Sequence, residues 1–242
     1  MSEKKFTECA KPHKIEANFI IPAAGNSSRM GESAGNKSKL LLEFNNETIL
    51  EKTVKTVVSS GVCKSITVPT RAELVEQIRT TLQPLCEGIP LIIHEGGATR
   101  QESVNIALSH LNEPGSYIAV HDGARPLCSA KDIENVVRQA FKTSGGAILA
   151  SHVVETLKEV TANGMVKETV DRDVFISAKT PQVFPYELLM RAHQEAYESG
   201  FLGTDESQLV ERLGVGISFV IGKSLNIKIT NPEDLKYLEQ DL

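Results

Sequence analysis

The chain carries few cysteines and no CxxC pair: Cys9, Cys63, Cys86 and Cys128 each stand alone. Scattered singly, they exclude a zinc-ribbon spacing and read as reduced thiols. No apolar run approaches the roughly 20 residues that span a bilayer, so no membrane partner is expected. The polar, lysine-rich start has no signal-peptide core, which makes a cytoplasmic location the expectation. Positive charge is not in excess, because the net charge is −5, so nothing suggests a general attraction to nucleic acid. A small acidic substrate remains compatible, since local cations can outweigh the global sign. Internal repeats, low-complexity tracts and domain linkers are also missing.

What is present suits a globular enzyme. The 242 residues, 24% charged and 40% hydrophobic, suffice for one large core or two small ones. Residues 1–15 read as a loose tail, and 16–242 as a single domain. Apolar runs bounded by turn residues alternate with amphipathic patterns. Strands are expected at 18–22, 65–68, 90–94, 117–120 and 146–150. Helices are expected from Thr48, which caps a face of Ile49, Leu50, Val54, Val57 and Val58, and at 72–82, 99–111 and 129–141. Repeated strand–helix units of this length imply an α/β fold: a mostly parallel, twisted sheet with helices on both faces. Around Ala162-Asn163-Gly164 the pattern changes to two short polar runs, 152–160 and 165–170. Asn-Gly there signals a hairpin, hence an arm over about 151–180 that packs on a neighbour. Helices at 186–199 and 205–213, strands at 216–221 and 226–229, and a last helix from Asn231-Pro232 complete the reading.

In such sheets ligands bind beyond the carboxyl ends of the strands. Three glycine-bearing loops fall at such ends. One is Pro22-Ala23-Ala24-Gly25-Asn26-Ser27-Ser28-Arg29-Met30-Gly31, where exposed N–H groups and one guanidinium form a cradle suited to phosphate. It matches neither a Walker loop nor GxGxxG. The others are Gly96-Gly97 and His121-Asp122-Gly123-Ala124-Arg125-Pro126. A carboxylate beside a phosphate cradle calls for a bridging Mg²⁺, or else Asp122 and Arg125 form a turn-stabilising pair. Lys39 is either an anchor for charge developing in phosphoryl transfer or a solvated lysine. Lys228, between Ile227 and Ile229, is either solvent-facing or near the cleft. His94, His121 and His152 have no obvious nucleophile beside them, and Thr204-Asp205-Glu206 reads as a helix cap with acids in the first turn.

Taken together in order, these motifs resemble the 2-C-methyl-D-erythritol 4-phosphate cytidylyltransferases of non-mevalonate isoprenoid synthesis. The matching segments are Pro22-Ala23-Ala24-Gly25-x-x-x-Arg29-Met30-Gly31, Lys39 with Ile49-Leu50-Glu51, Gly96-Gly97-x-x-Arg100-x-x-Ser103-Val104 and His121 to Pro126. Thr156-Leu157-Lys158, Val170-Asp171-Arg172, Thr180-Pro181-Gln182, Thr204-Asp205-Glu206 and Asn226-Ile227-Lys228 follow. The resemblance implies a three-layer, Rossmann-like nucleotidyltransferase fold with a protruding hairpin arm. It also implies attack of the methylerythritol phosphate on the α-phosphorus of CTP, without a covalent enzyme intermediate. Arg29, Lys39 and Lys228 would be catalytic. Ala23, Ala24, Gly25, Gly97, Ser103, Asp122 and Arg125 would bind the nucleotide, and Asp122 would hold Mg²⁺ or Mn²⁺. Thr156 and Arg172 would bind the acceptor in a partner subunit's site, which implies a homodimer clasped by the arm.

The chain departs from the family pattern at Ser38-Lys39-Leu40, where Pro-Lys-Gln is usual, and the preceding loop is longer. Lys37 therefore competes with Lys39, although Lys39 keeps register with Leu42, Ile49 and Leu50. Glu155 replaces an aspartate on the arm, and Ala98 stands where an acidic residue often follows Gly-Gly. Two other functions stay open: transfer to ribitol 5-phosphate, against which Ala124 argues, and non-catalytic nucleotide binding on the same fold.

Overall fold

The computed structural model describes residues 14–25, 38–223 and 225–238. In chain order the strands and helices are β1 (Ala17–Ile20), β2 (Glu43–Phe44), β3 (Glu47–Thr48), α1 (Ile49–Ser59), β4 (Cys63–Thr70), α2 (Val75–Leu82), β5 (Leu91–Glu95), α3 (Arg100–Leu111), β6 (Tyr117–Val120), α4 (Ala130–Ala140) and β7 (Ala147–His152). Next come β8 (Lys158–Val160), β9 (Val166–Thr169), β10 (Ile176–Pro185), α5 (Tyr186–Glu198), α6 (Glu206–Glu211) and β11 (Ser218–Ile221). Seven strands form one sheet in the order β11-β7-β10-β6-β1-β4-β5. All neighbours pair parallel except β10, which runs antiparallel to both β6 and β7.

Strand periodicity divides the core into two layers, as alternating side chains must. Phe19 and Ile21, Ala119, Val183, and Ala147 with Leu149 face one cluster, which α1, α2 and α4 cover. Ile20, Ile118 with Val120, Phe184 and Ile148 face the other, built with α3, α5 and α6. Strands buried on both faces read as continuous apolar runs, which is why β1 and β6 were legible.

Local chemistry fixes the helix starts. Thr48 and Glu51 form a full capping box: the Thr48 N–H donates to Glu51 Oε2 at 2.7 Å, and the Glu51 N–H to Thr48 Oγ1 at 3.1 Å. Thr99 and Ser129 cap α3 and α4 in the same way, each accepting from the backbone three residues on. Just before α1, Asn45 and Asn46 both adopt positive φ (49° and 62°) in the two-residue turn between β2 and β3, the backbone that such hairpins require.

Three expectations need correction. First, residues 226–229 form no strand: the chain passes the β6 loop with a bond from the Ile229 N–H to Ala124 O at 2.8 Å, and Asn226 turns at φ 35°. Second, β10 was not anticipated, because Pro181 and Pro185 punctuate it like a loop. The ladder tolerates them because it shifts register between Ala178 and Gln182, and Pro185 ends the strand. Third, the last helix is a 3-10 run, Pro232–Leu238. The hairpin arm is there, β8 pairing antiparallel with β9, and Val160, Met165, Val166, Val174 and Phe175 around it are exposed. Among the described residues no helix is long and apolar enough to cross a membrane.

Candidate active site

Beyond the carboxyl ends of β1, β4, β5 and β6 lies a cleft of about 670 Å³. Its wall contains Pro22, Ala24 and Gly25 after β1, Arg71 after β4, Gly96 and Gly97 after β5, and Asp122, Gly123 and Ala124 after β6. Lys39, Lys228 and Thr230 close it from the other side. Among the described lining residues the cations Lys39, Arg71, Arg100 and Lys228 face the carboxylates Glu73, Glu95 and Asp122.

Asp122 is the electrostatic centre. Arg100 Nε donates to its Oδ1 at 3.0 Å, while Arg125 Nε at 3.2 Å and Lys228 Nζ at 2.9 Å meet Oδ2. The cations outweigh the cost of burial and hold the Asp122 carboxyl far below the usual carboxylate range, so it is an anion at any working pH. Its backbone is fixed too: the Asp122 N–H donates to Thr180 Oγ1 at 3.0 Å, and Thr53 Oγ1 on α1 donates to Gly123 O at 3.0 Å. His121 is fully buried with Nδ1 3.0 Å from Thr180 Oγ1; burial pulls its pKa down to about 4, leaving a neutral ring. Neutral and enclosed, it is a packing residue here.

The three cations around Asp122 differ in freedom. Arg125 is buried behind the loop, its Nη1 donating to Asn226 O at 2.9 Å, and it does not line the cleft. Arg100 is tied with both terminal nitrogens to the buried Glu206, at 2.8 and 2.9 Å. Lys228 keeps 37% of its side chain exposed, the most of the three. Lys39 opens a 3-10 turn and donates from Nζ to Ile229 O at 2.8 Å, which ties it to the segment that carries Lys228.

Across the cleft, Ser103 does not project freely. Its Oγ accepts from the Gly97 N–H at 3.0 Å and donates to Thr99 O at 2.9 Å, so the hydroxyl braces the Gly96-Gly97 loop. Gly97 has no room for a side chain, since a Cβ would stand 2.2 Å from Glu102 Cγ. Glu102 in turn accepts from the Ala98 N–H at 2.8 Å, which places a carboxylate next to the position where Ala98 lacks one. Ala23 is buried beneath the loop it belongs to and is not in the cleft wall.

Of the residues singled out from the sequence, the cleft therefore brings together Ala24, Gly25, Lys39, Gly97, Ser103, Asp122 and Lys228. Thr156 and Arg172 are exposed on the arm and do not line it; Arg172 Nη1 donates to Val154 O. Arg29 and Lys37 lie outside the described residues. Sequence reasoning missed Arg71 and gave no task to Arg100 and Glu206, although both stood inside quoted motifs. A chain separation of 106 residues hides their pairing. Glu206 already had a local explanation as an acid in the first turn of a helix, so nothing in the sequence pointed from it to Arg100.

Among the described residues no cluster of three or more His, Cys, Asp or Glu is placed to hold a metal. A single carboxylate suits a Mg²⁺ that takes most of its oxygens from substrate phosphate and water, and not an all-protein cage. Asp122 fits that limited part, with Oδ2 shared by the least buried of its cations.

The sequence profile of the IspD family, 2-C-methyl-D-erythritol 4-phosphate cytidylyltransferase, matches residues 17–242. Enzymes of that name from Solibacter usitatus and Bacillus cytotoxicus are 40% and 42% identical to this chain, with coverage of 92% and 93% of it and of 93% and 96% of theirs. Among solved structures, 4-diphosphocytidyl-2C-methyl-D-erythritol synthase from Anaerococcus prevotii superposes with a TM-score of 0.80 at 26% identity, over 92% of this chain and 94% of that one. The 2-C-methyl-D-erythritol 4-phosphate cytidylyltransferase of Thermus thermophilus gives 0.74 at 30% identity, over 93% and 97%. With a match across its described sheet and cleft, this chain belongs to the 2-C-methyl-D-erythritol 4-phosphate cytidylyltransferase family.

Proposed function

We propose that the cleft transfers a cytidylyl group from CTP to 2-C-methyl-D-erythritol 4-phosphate, releasing pyrophosphate, with residues 16–242 acting as one catalytic unit. The observation that carries this reading is the Asp122 cluster, in which Arg100, Arg125 and Lys228 meet one carboxylate beside the glycine-bearing loops. An oxygen of the acceptor phosphate attacks the α-phosphorus in line; that P–O bond forms as the bond to the β-phosphate oxygen breaks. Among the described residues no side chain is placed as a nucleophile, so the protein's part is positioning and charge stabilisation.

Backbone groups of Ala24 and Gly25, with Ala23 supporting them from below, line the nucleotide. Gly97, held in shape by Ser103, bounds the base. Lys39 and Arg29 neutralise charge building on the phosphates, and Lys228 exchanges Asp122 for substrate oxygens. Arg125 keeps the Asp122 loop in place. Asp122 would hold Mg²⁺, or Mn²⁺, which when bound would supply Lewis-acid stabilisation for the leaving pyrophosphate. Thr156 and Arg172 serve the acceptor of a second subunit, and the exposed apolar residues of the arm, Val160, Met165 and Val166 among them, support a homodimer. The free thiols of Cys63 and Cys86 suit a reducing compartment, and we place the enzyme in the cytoplasm.

Incubation of purified protein with CTP, Mg²⁺ and each acceptor in turn tests the reading. Pyrophosphate release with methylerythritol phosphate is expected. Release with ribitol 5-phosphate alone would replace the acceptor, and CTP binding without turnover of either would leave a nucleotide-binding protein.

A further inference from the structure

We propose that Glu206 is a positioning residue for the cleft, acting through Arg100 on Asp122. The inference rests on the transfer reading above for its catalytic consequence, but its binding consequence stands without it.

Glu206 is 1% exposed and gives both carboxylate oxygens to the terminal nitrogens of Arg100. A guanidinium is planar, so fixing two of its nitrogens fixes the direction of the third. That third nitrogen is the Nε that meets Asp122 Oδ1. Oδ2 is thereby left to Lys228 and Arg125. Without Glu206 the Arg100 plane can rotate, and a fork of N–H donors aimed at one carboxylate tends to cover both of its oxygens. Oδ2, the oxygen shared with Lys228, the least buried of the three cations, would then be covered by Arg100.

Glu206 is itself held from both sides. Asp205 caps α6 by accepting from the Gln208 N–H at 2.9 Å. Gln182 on β10 donates to Asp205 Oδ2 at 2.8 Å and accepts from the Ser207 N–H at 2.9 Å. The same strand carries Thr180, which receives the Asp122 N–H. Strand β10 thus sets the Asp122 backbone directly and its carboxylate through Glu206 and Arg100. A buried ion pair adds little net stability over a well-packed apolar pair. What this one adds is direction, which makes the acid more than the cap its sequence suggested.

The test is Glu206→Gln, which keeps the shape but puts an amide N–H₂ against the guanidinium. CTP affinity in Mg²⁺, read by calorimetry, is expected to fall about 10–100-fold, the usual cost of losing a supporting shell partner, and kcat to fall with it. The thermal midpoint should fall too, since neutralising one partner of a buried pair costs stability, so affinity is read well below the variant's own midpoint. In an Asp122→Asn background the same change should weaken CTP less than about twofold, because the two act as a unit. Arg100→Lys, which keeps charge but cannot fork, should reproduce the loss and serves if the glutamine variant does not fold. Equal losses with and without the Asp122 charge, wild-type affinity in Glu206→Gln, or recovery of full affinity on cooling would each overturn the proposal. If wild-type protein uses neither acceptor, the transfer reading fails, while the calorimetric cycle still decides the role of Glu206.

Discussion

Lys228 Nζ lies 2.9 Å from Asp122 Oδ2 and is the most exposed of that carboxylate's cationic partners. Asp122 keeps two arginines when Lys228 is removed, so Lys228→Met should fold normally. Turnover should fall roughly 10²–10³-fold, the scale of losing one well-placed donor to developing charge. Steady-state kinetics beside a melting curve would check this; an unchanged kcat would remove Lys228 from the reaction.

Asp122→Asn should do the opposite to stability. It leaves Arg100 and Arg125 around a neutral amide in a buried site, and removing one partner of a buried pair typically costs about 3–5 kcal/mol. Urea unfolding at neutral pH is the measurement. A loss below 1 kcal/mol would mean that the arginines relax into solvent.

How far the sequence disclosed this site depends on the kind of signal. β1, β6 and the capped start of α1 were legible because their causes are local: two-sided burial, and a Thr–Glu pair three residues apart. The cleft was legible as three loops at strand ends. β10 was not, since its prolines mimic a turn and its pairing partners lie far along the chain. Residues 226–229 misled in the other direction, because alternation of Ile227, Lys228 and Ile229 imitates a strand where the chain only crosses a loop. Arg100 and Glu206 could be seen as residues but not as a pair.

Gly97→Ala should weaken CTP specifically. The new methyl would collide with Glu102, which supports the Ala98 N–H, so the loop must shift. Overpacking costs about 1–3 kcal/mol. Expressed in binding, that is a rise of about 5- to 150-fold in the CTP Kd, with the acceptor KM unchanged. Equal loss for both substrates would move Gly97 away from a nucleotide role.

Arg172→Ala separates the arm from the cleft. The residue does not line the cleft of its own chain, so CTP affinity should be unchanged. The acceptor KM should rise about 10–100-fold, the scale of a charged hydrogen bond. Sedimentation of wild-type protein should show a dimer, and full activity in a verified monomer would refute service in a second subunit.

Stability should fall with mild acid. His193 is buried with an unpartnered Nε2, and burial lowers its pKa, as it does for His121, which drops to about 4. Below the unfolded value of about 6.5 the unfolded chain takes up protons that the folded rings refuse. The stabilising contribution is therefore complete above that pH and is lost as pH falls from about 6.5 toward 4. His193→Leu should flatten part of that slope in urea midpoints measured across the window; an unchanged slope would mean that the ring protonates in the folded state.

Strand β10 joins β6 to β7 and runs against both. Without it the sheet is two separate ribbons, four strands on one side and two on the other. During synthesis, the first ribbon and β7 emerge well before residue 176 does, so the inner edge of β6 waits unpaired while the arm is being made. Zipping the ribbons together also brings Thr180 to the Asp122 N–H. A nascent chain stalled before β10 therefore has neither a joined sheet nor an anchored Asp122 loop, and Glu206 and Lys228, farther along the chain, complete the site only afterwards.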